Sequence, residues 1–304
     1  NLTREDLAGF LYESLHNNLL VLPNHTLVYP GHGAGSACGK NISSDRHSTI
    51  GEQKKYNYAL QRMTKNEFIS IVLDGISDAP QYFTHDVKMN KEGYESVTNV
   101  IDKSLEKLDP ETILNKLKTG AIILDVRMPN DFEKGFISQS INIGKTGMFA
   151  PWVGTLVSPK KEIIIVCYEH EEKEVISRLA RIGYEKVIGY FYFSSDQELG
   201  ELPIDIITSV YPSEIMEHKK NNFKIIDVRK PAELELGFLE NSIHVPLSNL
   251  NLESNQFKVS DEHLIYCAGG YRSMIACSIL KAKGYKNVVN IYGGFTAIMQ
   301  NTKQ

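Results

Sequence analysis

The sequence predicts an α/β protein whose larger part consists of two copies of one domain with a parallel sheet. Asp125-Val126-Arg127 recurs 102 residues later as Asp227-Val228-Arg229, and the apolar segments before both triplets recur with them. A repeat of about one hundred residues has the size of a domain, so it indicates duplication rather than a solenoid. Within each copy, short β-branched runs alternate with helical stretches, which is typical of βαβ units around a parallel sheet. We therefore expect α/β domains at residues 108–200 and 208–304, preceded by a different first region at residues 1–98.

Composition bounds the class of protein and its partners. A chain of 304 residues with 42% hydrophobic and 23% charged residues is typical of a globular protein of about two or three domains. The net charge of -4 argues against a nucleic-acid partner, and no apolar run of about eighteen residues predicts a membrane span. The four cysteines have no framework spacing, which favours a reducing compartment and hence the cytoplasm.

The first region is predicted to alternate helices with a strand and a glycine-rich loop. Thr3-Arg4-Glu5-Asp6 approximates a capping box ahead of leucines at helical spacing. Similar boxes at Thr49 and Thr64 predict two later helices. We expect residues 85–107 to form an irregular surface connection.

The loop of the first region carries a family resemblance. Tyr29-Pro30-Gly31-His32-Gly33-Ala34-Gly35-Ser36, with Cys38-Gly39-Lys40 and Ser48-Thr49-Ile50-Gly51, resembles the C-terminal part of the metallo-β-lactamase αββα fold in persulfide dioxygenases. The resemblance implies one non-haem Fe(II), which this family holds with a His-x-His-x-Asp-His motif and a later His. The nine histidines of this chain include no His-x-His pair.

The resemblance also suggests roles for two residues of the loop. An iron centre needs about three protein ligands, so this chain has no complete set, and the resemblance makes His32 metal-proximal only. Tight iron binding by residues 1–304 alone is not expected. Cys38 is either a sulfur relay facing the same pocket or a small buried residue, and both interpretations stay open.

The first copy of the repeat departs from the second where chemistry is expected. An apolar strand ends at Cys167, but residues 168–173 contain three carboxylates and neither glycine nor arginine. Carboxylates beside a thiol disfavour its anion by charge repulsion. We interpret this copy as an inactive spacer or as a docking surface between the outer domains.

The second copy contains the strongest chemical signal in the chain. His263-Leu264-Ile265-Tyr266 is predicted to be a buried strand that ends at Cys267, and Ser273 is predicted to open an apolar-periodic helix. Loop amides and the positive end of a helix dipole stabilise an anion at such a place. Arg272 adds a permanent charge and a forked donor. A lone Cys ending a strand is often a small core residue, but the surrounding residues favour a nucleophilic or persulfidated sulfur, whereas Cys277 is expected to be core.

These residues resemble a rhodanese (sulfurtransferase) domain. The likeness rests on Cys267-x-x-Gly270-x-Arg272-Ser273, on Asp227-Val228-Arg229 and on Gly293-Gly294-Phe295. It implies Cys267 and Arg272 as catalytic residues, and Asp227 and Arg229 as supports of the loop through buried charge pairing. The implied sulfur-binding loop comprises Ala268, Gly269, Gly270, Tyr271 and Ser273. The protein tyrosine phosphatase loop separates its Cys and Arg by one residue more than the four found here, and is disfavoured because a shorter ring offers fewer amides to a phosphate.

Together the resemblances imply an enzyme of sulfur metabolism, a persulfide dioxygenase module fused to two rhodanese modules. Its partners would be small sulfur compounds such as glutathione-type persulfide, thiosulfate and sulfite, and a homodimer is kept open. One alternative is a binding module whose rhodanese copies dock partners or relay sulfur without turnover. Another is a thioester hydrolase of the glyoxalase II type, since the metallo-β-lactamase fold also hosts that chemistry.

Overall fold

Two structural units make up the chain. The computed structural model describes residues 2–32, 43–74, 82–193, 199–215 and 223–301. The first unit comprises Asn1–Ala79 and the second Pro80–Gln304.

The first unit contains short helices around a two-stranded antiparallel sheet. Thr3, Thr49 and Thr64 each close a capping box, as predicted, because each hydroxyl accepts the N–H of the acidic residue three positions later. Phe68 is fully buried, with its ring edge-on to Tyr12. The elements are α1 (Arg4–Ser14), a π-helical turn (Leu15–Leu19), β1 (Leu27–Val28), β2 (Ser48–Thr49), α2 (Ile50–Tyr56), a 3-10 turn (Tyr58–Leu60) and α3 (Lys65–Leu73).

The expected irregular connection at residues 85–107 is wrong, because two helices occupy this stretch. They are α4 (Tyr82–Glu92) and α5 (Val97–Ser104). Ser96 caps α5 by accepting the N–H of Asn99, and Val100 is buried against the first copy. The hydroxyl of Ser104 donates to the carbonyl of Val187 at 2.7 Å. The predicted end of the first region at residue 98 thus falls inside a helix that belongs to the second unit.

The first copy of the repeat folds around a four-stranded parallel sheet. Its strand order is β5-β3-β6-β7. These strands are β3 (Ile122–Asp125), β5 (Ile141–Asn142), β6 (Ile163–Cys167) and β7 (Val187–Tyr192), and β4 (Phe136–Ile137) pairs antiparallel with β8 (Ile204–Asp205). The helices are α6 (Pro110–Lys118), α7 (Pro129–Phe132), α8 (Phe149–Leu156) and α9 (Glu172–Ala180). Every residue of β6 is buried, as expected for a central strand covered on both faces.

The second copy repeats this arrangement with one more strand. Its order is β11-β10-β12-β13-β9, and all neighbours are parallel. The strands are β9 (Thr208–Val210), β10 (Lys224–Asp227), β11 (Ile243–His244), β12 (His263–Tyr266) and β13 (Val288–Ile291). The helices are α10 (Leu250–Glu253), α11 (Tyr271–Ala282) and α12 (Gly294–Asn301), with 3-10 turns at Pro212–Glu214, Pro231–Leu236, Leu247–Asn249 and Ser254–Gln256.

The two copies share one apolar core within the second unit. A single buried cluster runs from Leu124 and Trp152 in the first copy to Ile265 and Ile279 in the second. A buried polar contact accompanies it, since the N–H of Asn142 donates to the hydroxyl of Ser278 at 2.9 Å. The copies therefore pack directly on each other.

Candidate active site around Cys267

Cys267 lies at the carboxyl end of the central strand β12 and just ahead of α11. The helix begins at Tyr271, two residues earlier than the sequence predicted, because Gly270 supplies the preceding turn with φ 101° and ψ -26°. Only glycine adopts this left-handed conformation readily. Ligands of parallel sheets collect at this end of the strands, so the fold delivers the thiol to the expected place.

The sulfur receives a main-chain donor from its own loop. The N–H of Gly270 points to Cys267 Sγ at 3.1 Å, and Ser273 Oγ lies 3.6 Å from the same sulfur. Cys267 is 1% exposed, whereas Gly269 at the outer edge of the loop is exposed and a side chain there would meet open space. The loop thus holds the sulfur beneath a solvent-facing rim.

Arg272 is held by a carboxylate that sequence reasoning did not identify. Its guanidinium donates to both oxygens of Glu233, Nη1 at 2.6 Å and Nη2 at 2.7 Å. The hydrogen bond from Arg272 is the main cause that lowers the pKa of Glu233 to about 2, and the pKa of Arg272 is raised first by Glu233 and further by Cys267. The carboxylate therefore holds the guanidinium in place, and the positive charge of Arg272 favours an anion at Cys267. The internal repeat could have revealed Glu233 as the partner of Arg272, because the equivalent position 102 residues earlier, Asp131, is also acidic.

Asp227 and Arg229 form a buried ion pair behind the loop. Arg229 Nη2 donates to Asp227 Oδ2 at 2.6 Å and to the carbonyl of Gly237 at 2.8 Å. The ring of Phe295 stacks on the guanidinium at 4.0 Å. The pair ties β10 to the turn that carries Glu233 and to α12, and it makes no direct hydrogen bond to the sulfur.

The final helix closes the loop from behind. The N–H of Phe295 donates to the carbonyl of Cys267 at 2.6 Å, and that of Thr296 to the carbonyl of Ala268 at 3.1 Å. Gly294 sits so close that a Cβ there would lie 2.3 Å from the carbonyl oxygen of Cys267. Position 294 therefore requires glycine for this approach.

The first copy contributes to the wall beside the loop. The hydroxyl of Tyr271 donates to the carbonyl of Gly144 at 2.8 Å, and a Cβ at Gly147 would lie 2.4 Å from the ring of Tyr271. One side of the sulfur-binding loop is thus seated on residues 144–147 of the neighbouring copy.

The corresponding place in the first copy has different chemistry. Burial, followed by Glu172 and Glu171, raises the pKa of Cys167 to about 12. The hydroxyl of Tyr168 donates to Asp131 at 2.6 Å, where the second copy has Arg272 on Glu233. This site holds a protonated thiol at neutral pH. Cys277 is likewise fully buried, and burial raises the pKa of its thiol well above the usual value.

The first unit offers no set of iron ligands in the described residues. His32 is exposed, and Cys38 lies outside the described residues. No cluster of three His, Cys, Asp or Glu side chains suited to a metal ion occurs in the described parts of the chain. Within the part of the chain that the structure describes, the side chains do not fit the Fe(II) that the family resemblance implies.

Comparisons with known proteins place the repeat in a family. The model of the rhodanese-like domain matches residues 109–191 and 212–301, more than half of the chain. A sulfurtransferase of Allochromatium vinosum is 32% identical over 73 residues, which are 24% of this chain and 68% of that protein. The putative sulfur carrier protein YrkF of Bacillus subtilis is 33% identical over 73 residues, 24% of this chain and 40% of its own length. The chain thus spans from less than half to about two thirds of these relatives.

A solved structure resembles a larger share of the chain. A metallo-beta-lactamase of Staphylococcus aureus is 26% identical, covers 62% of this chain and 50% of its own chain, and has a TM-score of 0.49.

The predicted α/β class with parallel sheets in both copies is confirmed. A search of the described helices finds none long and apolar enough to cross a membrane. Because the family model matches both copies of the repeat, the chain belongs to the rhodanese-like family and carries two of its domains.

Proposed function

We propose that the second copy is a sulfurtransferase that carries sulfane sulfur as a persulfide on Cys267. The observation that supports this most directly is the sulfur at the start of α11, with the Gly270 N–H on Sγ and Arg272 beside it. Amide donors, the helix N-terminus and a cation together favour a sulfur anion. The name of the Allochromatium relative, a sulfurtransferase, agrees with this chemistry.

The proposed reaction has two displacement steps. The Cys267 thiolate attacks the outer sulfur of thiosulfate or of a persulfide, a new S–S bond forms, and sulfite or a thiolate leaves with the electron pair of the broken S–S bond. The anionic terminal sulfur is then stabilised by loop amides and by Arg272. An acceptor such as sulfite, cyanide or a thiol attacks that sulfur, and the S–S bond breaks to return the Cys267 thiolate.

A sulfurtransferase assay with matched cysteine variants tests the proposal. Wild type should convert thiosulfate and cyanide to sulfite and thiocyanate, Cys267→Ser should lose this activity, and Cys167→Ser should retain it. Equal activity of wild type and Cys267→Ser would defeat the proposal.

A sulfur relay without turnover is the second candidate, and the name of the YrkF relative, a putative sulfur carrier, favours it. Both candidates predict a Cys267 persulfide visible by mass spectrometry. They differ in whether the persulfide is consumed repeatedly by a small acceptor. A persulfide that forms once and passes only to a protein thiol would favour the relay.

We also propose, more coarsely, that the first unit derives from a persulfide dioxygenase module. The sequence of residues 29–51 supports this proposal, and the described residues offer no set of iron ligands. The chain supplied with Fe(II) should hold far less than one iron per molecule and should not consume O2 with glutathione persulfide. Thioester hydrolysis by this chain would instead favour the glyoxalase II alternative.

A further inference from the structure

A chain of polar side chains joins the Cys267 sulfur to the first copy. Ser273 Oγ lies 3.6 Å from Sγ and donates to Asn290 Oδ1 at 2.6 Å. Asn290 Nδ2 donates to Ser209 Oγ at 3.0 Å, and the Ser209 hydroxyl donates to Glu133 Oε2. Ser273, Asn290 and Glu133 are buried. Glu133 alone belongs to the first copy.

The charge of Glu133 fixes the direction of the hydrogen bonds from Ser209 as far as the side-chain amide of Asn290. An ionised carboxylate only accepts, so the single hydroxyl hydrogen of Ser209 points to Glu133. Ser209 must then accept from the amide of Asn290, which turns the Asn290 carbonyl towards Ser273. The hydroxyl of Tyr292 donates to the other oxygen of Glu133, so both carboxylate oxygens are occupied as acceptors.

The consequence at the sulfur is a hydrogen-bond acceptor rather than a donor. Ser273 has one hydroxyl hydrogen, and its acceptors are Asn290 Oδ1 at 2.6 Å and, at the longer distance of 3.0 Å, the carbonyl of Gly270. While the hydrogen points to either of them, an oxygen lone pair faces Cys267 Sγ. That lone pair accepts the S–H of a thiol and repels a thiolate. Gly270 N–H and Arg272 act in the opposite sense.

We propose that Glu133 of the first copy is a positioning residue, which acts through Ser209, Asn290 and Ser273 to keep a hydrogen-bond acceptor against Cys267. The inference rests on the proposed function of the same site. It gives the first copy a role in sulfur transfer although its own cysteine is buried.

The surrounding charges do not change in the variants that test this. The charged groups around the sulfur are Arg272 with Glu233 and the buried Asp227–Arg229 pair, and the Cys277 thiol is a further titratable group there. A Coulombic effect of removing the Glu133 charge must still be separated from an effect of the chain.

The experiment follows the ionisation of Cys267 directly by the 13Cβ NMR shift of labelled cysteine, with Cys267→Ser assigning the signal. In Glu133→Gln the amide can donate to Ser209 and allow the chain to reverse. The titration midpoint should then fall by about one pH unit, a tenfold change in the ionisation constant. Ser209→Ala keeps the Glu133 charge, frees Asn290 to turn, and should shift the midpoint in the same direction. Glu235→Gln is the matched control, since Glu235 is the exposed equivalent 102 residues later.

A double variant separates the chain from simple charge removal. In a Ser273→Ala background the additional Glu133→Gln change should have no effect on the midpoint. The proposal is overturned if Glu133→Gln titrates like Glu235→Gln, or if its shift persists in the Ser273→Ala background. Should Glu133→Gln fail to fold, Ser209→Ala decides in the same way. Because the titration needs no substrate, these outcomes are independent of the sulfurtransferase assay.

Discussion

Arg272, which follows the loop of the proposed reactive sulfur, forms a bidentate ion pair with Glu233. Glu233 keeps its charge through ordinary conditions, because hydrogen bonds from Arg272 lower its pKa to about 2. Its contribution to stability is therefore present above the usual pKa of 4.5 and is lost as the pH falls towards 2. Through its two contacts the carboxylate sets where the guanidinium lies relative to Cys267.

We predict that Glu233→Gln lowers kcat/KM for sulfur transfer about tenfold, because a charge-assisted bidentate contact is replaced by a single neutral one. The measurement is steady-state transfer of sulfur from thiosulfate to cyanide. Glu235→Gln, two residues along the chain and exposed, should behave as wild type. Equal rates for the two variants would show that the position of Arg272 does not depend on Glu233.

The cysteines at the two equivalent strand ends should differ sharply in reactivity. A thiol with a pKa of about 12, such as Cys167, is almost entirely protonated at pH 8, and Glu171 and Glu172 oppose its ionisation. After incubation with thiosulfate, peptide mass spectrometry should find the added sulfur on Cys267 and none on Cys167. Persulfide on Cys167 at a comparable level would contradict the interpretation of the first copy as inactive.

The turn into the final helix α12 requires glycine at position 294, both for its backbone conformation and for the space beside it. Gly294 has φ +55° and its missing Cβ leaves room for the Cys267 carbonyl. Gly294→Ala should lower the free energy of unfolding by about 3 kcal/mol, from left-handed strain and from a clash with main chain. It should also abolish sulfur transfer because the loop is displaced.

Gly284→Ala provides the matched control at the level of the element. Gly284 has φ +90°, but a Cβ there would meet no atom within 4 Å. The only cost of alanine at this position is the strain of its positive φ. The free energy of unfolding of this variant should therefore fall by about 1 kcal/mol, and its sulfurtransferase activity should be kept. Urea unfolding and the sulfur-transfer assay distinguish the two variants. If Gly284→Ala and Gly294→Ala lose the same free energy of unfolding, the clash of a Cβ at position 294 with the Cys267 carbonyl does not destabilise the protein.

The sequence predicted the strands that consist of a continuous apolar run. The apolar residues before the two Asp-Val-Arg triplets predicted β3 and β10, and those before Cys267 predicted β12, because buried parallel strands are continuously apolar. Helix α5 was missed because it has only eight residues, and because Asn99 stands three positions after Ser96, where a capping box has Glu or Gln. Glu233 and Glu133 were missed because carboxylates are usually exposed, and only the folded contacts with Arg272 and Ser209 distinguish them.

At the scale of the whole second unit, the two rhodanese-like copies are asymmetric although they share one core. Phe136 is buried in the first copy, while the equivalent Phe238 is 63% exposed in the second. The Tyr271–Gly144 and Glu133–Ser209 contacts both cross between the copies. The first copy thus packs against the sulfur-binding loop of the second.

The stability of this unit should depend on pH through one buried histidine. His263 is 0% exposed, between the rings of Phe257 and Tyr285 on the central strand β12, and burial lowers its pKa from the usual 6.5. Below pH 6.5 the unfolded chain binds a proton that the folded chain does not, so the free energy of unfolding falls as the pH falls, by at most about 1.4 kcal/mol per pH unit.

Urea unfolding at pH 7.5 and 5.5 measures this dependence. The free energy of unfolding of the wild type should fall by about 1 kcal/mol from pH 7.5 to pH 5.5. His263→Phe keeps an aromatic ring on β12, and its free energy of unfolding should fall much less. His170→Asn is the control, because His170 is exposed and asparagine tolerates its φ of +67°. That variant should keep the wild-type dependence on pH. An unchanged dependence in His263→Phe would mean that the histidine is protonated equally in the folded and unfolded chains, and that its burial does not exclude the charge.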